Sequence, residues 1–168
     1  MPGSMVHHGF LSAYRSVASN VTATIKRLAR RFPTYKMVFT GHSLGGAESV
    51  LCAVDMLDQM PAIRNRTFVY TYGMPRVGND AWADGIDHLQ LPIYRMVYEN
   101  DLVPHIPFQW LGYQHFAQEV WIHRNKTHFC GKEQESLACS AGTAISDLNI
   151  QDHSGYTSGL WEFALLSS

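Results

Sequence analysis

Lys36-Met37-Val38-Phe39-Thr40-Gly41-His42-Ser43-Leu44-Gly45-Gly46-Ala47 is the stretch on which the fold turns. Its first five residues, mostly apolar or β-branched, read as a short strand. Gly41 then allows a tight turn, and residues 47–59, rich in Ala, Leu and Met, favour helix. The order strand, glycine turn, helix is the context in which a GxSxG match, here Gly41-His42-Ser43-Leu44-Gly45, has chemical meaning. In that context the turn lifts a serine hydroxyl above the sheet, and glycines stand where side chains would clash.

Working outward, Phe10, Tyr14, Val17, Val21, Ile25, Leu28 and Phe32 recur at three- and four-residue steps. That spacing predicts an amphipathic helix, stopped by Pro33, with Arg27, Arg30 and Arg31 as a solvated basic last turn. Thr67-Phe68-Val69-Tyr70-Thr71-Tyr72, bounded by Gly73 and Pro75, predicts a second strand; residues 93–98 predict a third and residues 119–123 a fourth. A weak helix fits 79–88, and 101–113, with Pro104 and Pro107, reads as a loop. Strands separated by crossover helices imply an α/β domain with a mostly parallel sheet and helices on its faces. Nothing repeats and no linker interrupts, so residues 1–168 read as one domain.

Composition fits this. The 168 residues carry a formal charge of -1, are 46% hydrophobic and 16% charged, and so describe a globular domain without the basic surplus that nucleic-acid binding needs. No apolar run approaches the roughly 20 residues that cross a bilayer. Met1-Pro2-Gly3-Ser4-Met5 lacks signal-peptide character, reads equally as a non-native leader and as a natural start, and is set aside from fold reasoning. Among the nine histidines, His7-His8 is a doublet rather than a spaced ligand pair, so no metal site is expected, and the serine chemistry that the motif suggests needs no organic cofactor.

A serine hydroxyl is a weak nucleophile and needs a general base, itself oriented by a third group. Asp80, Asp84, Asp87, Glu99 and Asp101 follow Ser43; Asp101 is best placed, directly after the strand at 93–98, with Glu99 and Asp84 as rivals. The later histidines are His88, His105, His115, His123, His128 and His153. Of these His153 follows both the acid candidates and the last strand, just ahead of an apolar closing segment.

With these residues in hand, the chain resembles the class 3 lipases, the fungal triacylglycerol lipase family of α/β hydrolases. The resemblance runs through Val6-His7-His8-Gly9-Phe10-Leu11, Phe39-Thr40-Gly41-His42-Ser43-Leu44-Gly45-Gly46-Ala47 and Tyr72-Gly73-Met74-Pro75-Arg76-Val77-Gly78-Asn79. It continues in Asn100-Asp101-Leu102-Val103-Pro104-His105-Ile106-Pro107 and Asp152-His153-Ser154-Gly155-Tyr156. It implies Ser43 as nucleophile, Asp101 as triad acid and His153 as base. It also implies a secreted enzyme acting on lipid esters at a lipid–water interface, with feruloyl or other carboxylesters as the alternative substrates on the same fold. Two departures temper that. The family's segment ahead of the Val6 block supplies early strands, a Ser or Thr oxyanion donor and a lid, which makes this sequence look N-terminally truncated. An impaired fragment is therefore the competing expectation, in which the Leu44 backbone N–H is the remaining oxyanion donor. The second departure is Trp161-Glu162-Phe163-Ala164-Leu165-Leu166, which extends past the family's usual end.

Three cysteines cannot all pair. Cys52 sits among Leu51, Ala53 and Val54 and reads as a buried thiol; the family resemblance pairs Cys130 with Cys139. Asn-x-Thr sequons at Asn20, Asn65 and Asn125 point to an export route and to glycosylation.

Overall fold

The computed structural model describes residues 2–157. Its elements are α1 (His8–Arg31), β1 (Met37–His42), α2 (Leu44–Gln59), β2 (Thr67–Tyr72), α3 (Asp80–His88), β3 (Ile93–Tyr98), β4 (Glu119–His123) and β5 (Lys126–Phe129). The sheet order is β1-β2-β3-β4-β5, parallel except for the antiparallel β4–β5 hairpin. The expected α/β architecture is present. The apolar segment at 161–166 lies outside the described residues.

The differences from expectation have local causes. α1 starts two residues early because His7 caps it, Nδ1 accepting from the Phe10 N–H at 3.4 Å. α2 begins at Leu44 rather than 47, since the turn at Ser43 ends the strand in one residue. β5 escaped the sequence reading because all four of its residues are exposed and show no alternation. Its turn is formed by Arg124 and Asn125, both at positive φ (49° and 58°), the conformation of a tight hairpin loop. Residues 101–113 stay irregular apart from short 3-10 turns at Val103–His105 and Gln109–Leu111.

The core lies between the sheet and its helices: Val50 and Met56 from α2, Val69 from β2, Ala83 and Ile86 from α3 and Ile93 from β3 are buried. The stripe of α1 is only partly covered; Tyr14 is buried, while Val17 and Leu28 remain 49% and 42% exposed. The reason is position, for α1 packs on α2 rather than on the strands. Tyr14 Oη donates to Asp55 Oδ2 at 2.5 Å across that contact, and burial followed by this carboxylate pushes the phenol far above its ordinary value.

Residues 3–5, set aside above, are part of the fold. Ser4 Oγ donates to the Ala81 carbonyl (3.1 Å), and Met5 N–H donates to Asn79 Oδ1 (2.9 Å), the same oxygen that caps α3 by accepting from the Trp82 N–H. Cys130 and Cys139 are disulfide-bonded with Cα atoms 6.1 Å apart, and Cys52 is a buried free thiol. Glu119 also lies beside the two sulfurs, but a disulfide leaves that grouping one carboxylate and no thiolate for a metal.

Candidate active site

Everything chemical in the sequence motifs converges at the carboxyl ends of the parallel strands. β1 ends at His42, and Ser43 N–H still extends the ladder by donating to the Tyr72 carbonyl (2.9 Å). Ser43 itself has φ 57° and ψ -130°, a conformation that costs an L-residue about 1–3 kcal/mol and that places its side chain at the turn apex without capping α2. Such a turn requires the neighbouring glycine: a Cβ on Gly41 would land on the Gly45 carbonyl. Leu44 opens α2, so its N–H is among the helix's first amides, which have no intrahelical acceptor and sit at the positive end of the helix dipole.

Asp101 follows β3 and is fully buried. Its carboxylate accepts three donors: His153 Nδ1–H to Oδ2 at 2.8 Å, Tyr156 Oη–H to Oδ2 at 2.6 Å, and Val103 N–H to Oδ1 at 2.9 Å. Burial and then the Asp101 charge drive the Tyr156 phenol far above its ordinary value, so it stays a donor. The Tyr156 oxygen in turn accepts from Tyr98 N–H (3.1 Å), fixing it to the end of β3.

His153 lies on the 3-10 segment Gln151–Thr157, which is laced to the loop after β3 by backbone and side chain. Leu102 N–H donates to Asn149 O and Asn149 N–H to Asn100 O, both at 2.9 Å, while Asp152 Oδ2 accepts from Asn100 N–H at 3.0 Å. Because the Asp101 oxygen can only accept, Nδ1 of His153 carries a proton, and in the neutral imidazole the lone pair is then on Nε2. Gly73, at φ 58° after β2, makes room for this pair: a Cβ there would stand 2.9 Å from both Asp101 Oδ2 and the His153 ring.

The structure thus joins Asp101 and His153 directly, and brings Ser43 to the same end of the sheet through β1 and β2. Among the described residues no hydrogen bond links the Ser43 hydroxyl to the imidazole; such contacts commonly tighten only once substrate is bound. The rivals are occupied elsewhere. Glu99, at φ 44°, accepts from Arg124 N–H (2.8 Å) and lies 3.0 Å from His123 Nδ1, out of line for a hydrogen bond. Asp84 and Asp87 hold Gln134, and Asp80 accepts from Ala81 N–H within the first turn of α3. His88 contacts the Asp84 carbonyl, and His105 spans the Asp101 and Ser140 carbonyls. His115 is buried and held well below the usual imidazole range by that burial and by Arg95, with Nε2 on the Pro104 carbonyl. His128 is exposed beside Trp121. Sequence reasoning missed the roles of Tyr156 and Gly73, though both stand in blocks that carry the family resemblance.

Comparison with known proteins fits this geometry. Residues 1–110 match the family Lipase (class 3). The chain belongs to the class 3 lipase family. It is 36% identical over 158 residues to a lipase of Rhizomucor miehei, a match covering 92% of this chain and 43% of that protein. It is 40% identical over 121 residues to secreted mono- and diacylglycerol lipase 1 of Fusarium solani, covering 71% and 35%. A solved Rhizomucor miehei lipase in complex with its propeptide superposes with a TM-score of 0.87 at 36% identity, over 90% of this chain and 50% of that one. A solved triacylglycerol lipase whose catalytic centre is described as a serine protease triad gives the same TM-score over 91% and 59%. The chain therefore spans about half the length of the class 3 lipases it resembles.

Proposed function

We propose that this class 3 lipase chain carries the catalytic centre of a serine carboxylic-ester hydrolase acting on acylglycerols. The observation that carries the reading is the buried Asp101–His153 hydrogen bond standing at the same end of the sheet as a strained serine on a strand-to-helix turn. In the mechanism, Nε2 of His153 takes the Ser43 proton as Oγ attacks the ester carbonyl, and Asp101 holds the tautomer and steadies the resulting imidazolium. The tetrahedral oxyanion accepts from the Leu44 N–H. Collapse expels the alcohol, protonated by His153, and leaves an acyl-Ser43 ester. Water, deprotonated by the same imidazole, then releases the fatty acid and regenerates Ser43. Each step is proton transfer or acyl transfer, and none calls on a metal or organic cofactor.

Acylglycerols are chosen because the relatives are named for them: a triacylglycerol lipase, and mono- and diacylglycerol lipases described as secreted. The secreted relatives support an extracellular protein, and a similar fungal lipase–inhibitor complex described as a model for interfacial activation supports work at a lipid–water interface. Asn20, Asn65 and Asn125 are all exposed, Asn125 at the hairpin turn, and can carry the glycans that an export route would add.

The test is stoichiometric labelling by an organophosphonate ester, localised to Ser43 by mass spectrometry and absent in Ser43→Ala. Rates on emulsified triolein, monoolein and methyl ferulate then fix the substrate class. Absence of labelling in a folded wild-type chain would refute the catalytic reading, and a preference for methyl ferulate would refute the choice of acylglycerol.

A further inference from the structure

His42 occupies the variable position of the Gly41-His42-Ser43-Leu44-Gly45 turn, where the pattern itself asks for no particular side chain. Its ring nevertheless lies against the candidate base: the His42 and His153 ring centroids are 4.4 Å apart with planes tilted by 33°. Nε2 of His42 also stands 2.8 Å from the His153 backbone carbonyl. A carbonyl oxygen only accepts, so Nε2 bears the proton and donates. His153 is thereby held from two sides, through its side chain by Asp101 and through its backbone by the residue that precedes the nucleophile.

We infer that His42 is a positioning residue for His153, and that it must be uncharged for the site to work. The hydrogen bond ties the 3-10 segment Gln151–Thr157 to the end of β1, so the distance between Ser43 and the imidazole is set by a link adjacent to Ser43 itself. The charge requirement follows from the ring contact. When His153 takes the Ser43 proton it becomes an imidazolium, and a second imidazolium 4.4 Å away would oppose that transfer. The other titratable groups facing His42 are Tyr72, its register partner on β2, and Tyr156, whose ring centroid is 5.5 Å away; Asp101 lies behind His153 and favours charge on that ring alone.

The inference rests on Ser43 and His153 being nucleophile and base, and its test separates the two ideas. His42→Gln places an amide N–H at a similar reach without a titrating ring, His42→Phe keeps the ring without the donor, and His42→Ala removes both. Hydrolysis of a soluble butyrate ester should fall about tenfold or more in kcat for the Phe and Ala variants, with KM within about twofold, while Gln stays within about threefold of wild type. The acid limb of kcat/KM should lie at lower pH in His42→Gln than in wild type. Wild-type kcat in His42→Phe, a loss in Gln as deep as in Ala, or coincident acid limbs would overturn the inference.

Independently of turnover, the far-downfield proton NMR signal of the His153–Asp101 hydrogen bond should persist in wild type and Gln, and broaden or vanish in Phe and Ala. Its persistence in all four would overturn the inference, whereas the expected NMR pattern without any ester turnover or Ser43 labelling would instead refute the proposed function. Far-ultraviolet circular dichroism checks that each variant is folded. His42 is exposed, so all three variants are expected to keep the fold.

Discussion

Replacing Gly73 by alanine probes how tightly Asp101 and His153 are packed. The added Cβ would stand 2.9 Å from Asp101 Oδ2 and from Nδ1 and Cε1 of His153. Ordinary contacts to carbon begin near 3.5 Å, so either the imidazole and carboxylate move by about 0.5–1 Å or the backbone does. At φ 58° an L-residue costs about 1–2 kcal/mol, of which the stiffer unfolded chain offsets about 0.4–1. Forcing the neighbours aside adds about 1–3 kcal/mol. The midpoints of these ranges sum to a loss of about 3 kcal/mol, and at about 2–4 °C per kcal/mol in a chain of this size the Tm falls by about 6–12 °C. Activity suffers more, because a misplacement near 1 Å costs about 100-fold. The assay is kcat/KM on p-nitrophenyl butyrate together with the rate of phosphonate labelling, below the variant's Tm. A folded Gly73→Ala protein within about threefold of wild type in both would refute the claim that Asp101 and His153 are fixed by this contact.

Three further outcomes follow from the same geometry. Ser43→Gly relieves the positive φ at the turn and should raise stability by about 1 kcal/mol, read as a higher Tm, while abolishing labelling; a lower Tm would show that the turn stores no strain. Tyr156 and Tyr14 have folded pKa values raised above 10.0, so their stabilisation is complete below that pH and is lost as pH rises beyond it. Urea titrations between pH 9 and 11 should therefore show stability falling with pH less steeply in Tyr156→Phe than in wild type, and equal slopes would sink the assignment. Removing the Cys130–Cys139 bond by a double Ser substitution should cost about 2–3 kcal/mol, since it closes a short loop, and lower Tm by about 5–10 °C without changing phosphonate labelling of Ser43.

Sequence determined what depends on near neighbours. The run from Lys36 to Ala47 dictates a strand, a turn and a helix by local propensity and by the glycines its geometry needs, and so placed the serine before any tertiary contact was considered. Apolar periodicity gave α1, and β-branched and aromatic runs gave the other three parallel strands in the same way. Exposure without alternation hid β5, and an unread cap hid the true start of α1.

Only the tertiary structure decided which carboxylate meets which histidine. Asp101 and His153 are separated by 52 positions in the chain, and no local preference links them. What joins them is the folding of the 149–157 segment against the end of β3, where Asn100, Leu102, Asn149 and Asp152 exchange hydrogen bonds. The same packing turned Glu99, a rival by sequence, toward the β4–β5 hairpin, and set His42 against His153. A side chain's chemistry is written in its residue type, but its partner is fixed by the burial and hydrogen-bond demands of the whole fold, which residues far apart in the chain satisfy together.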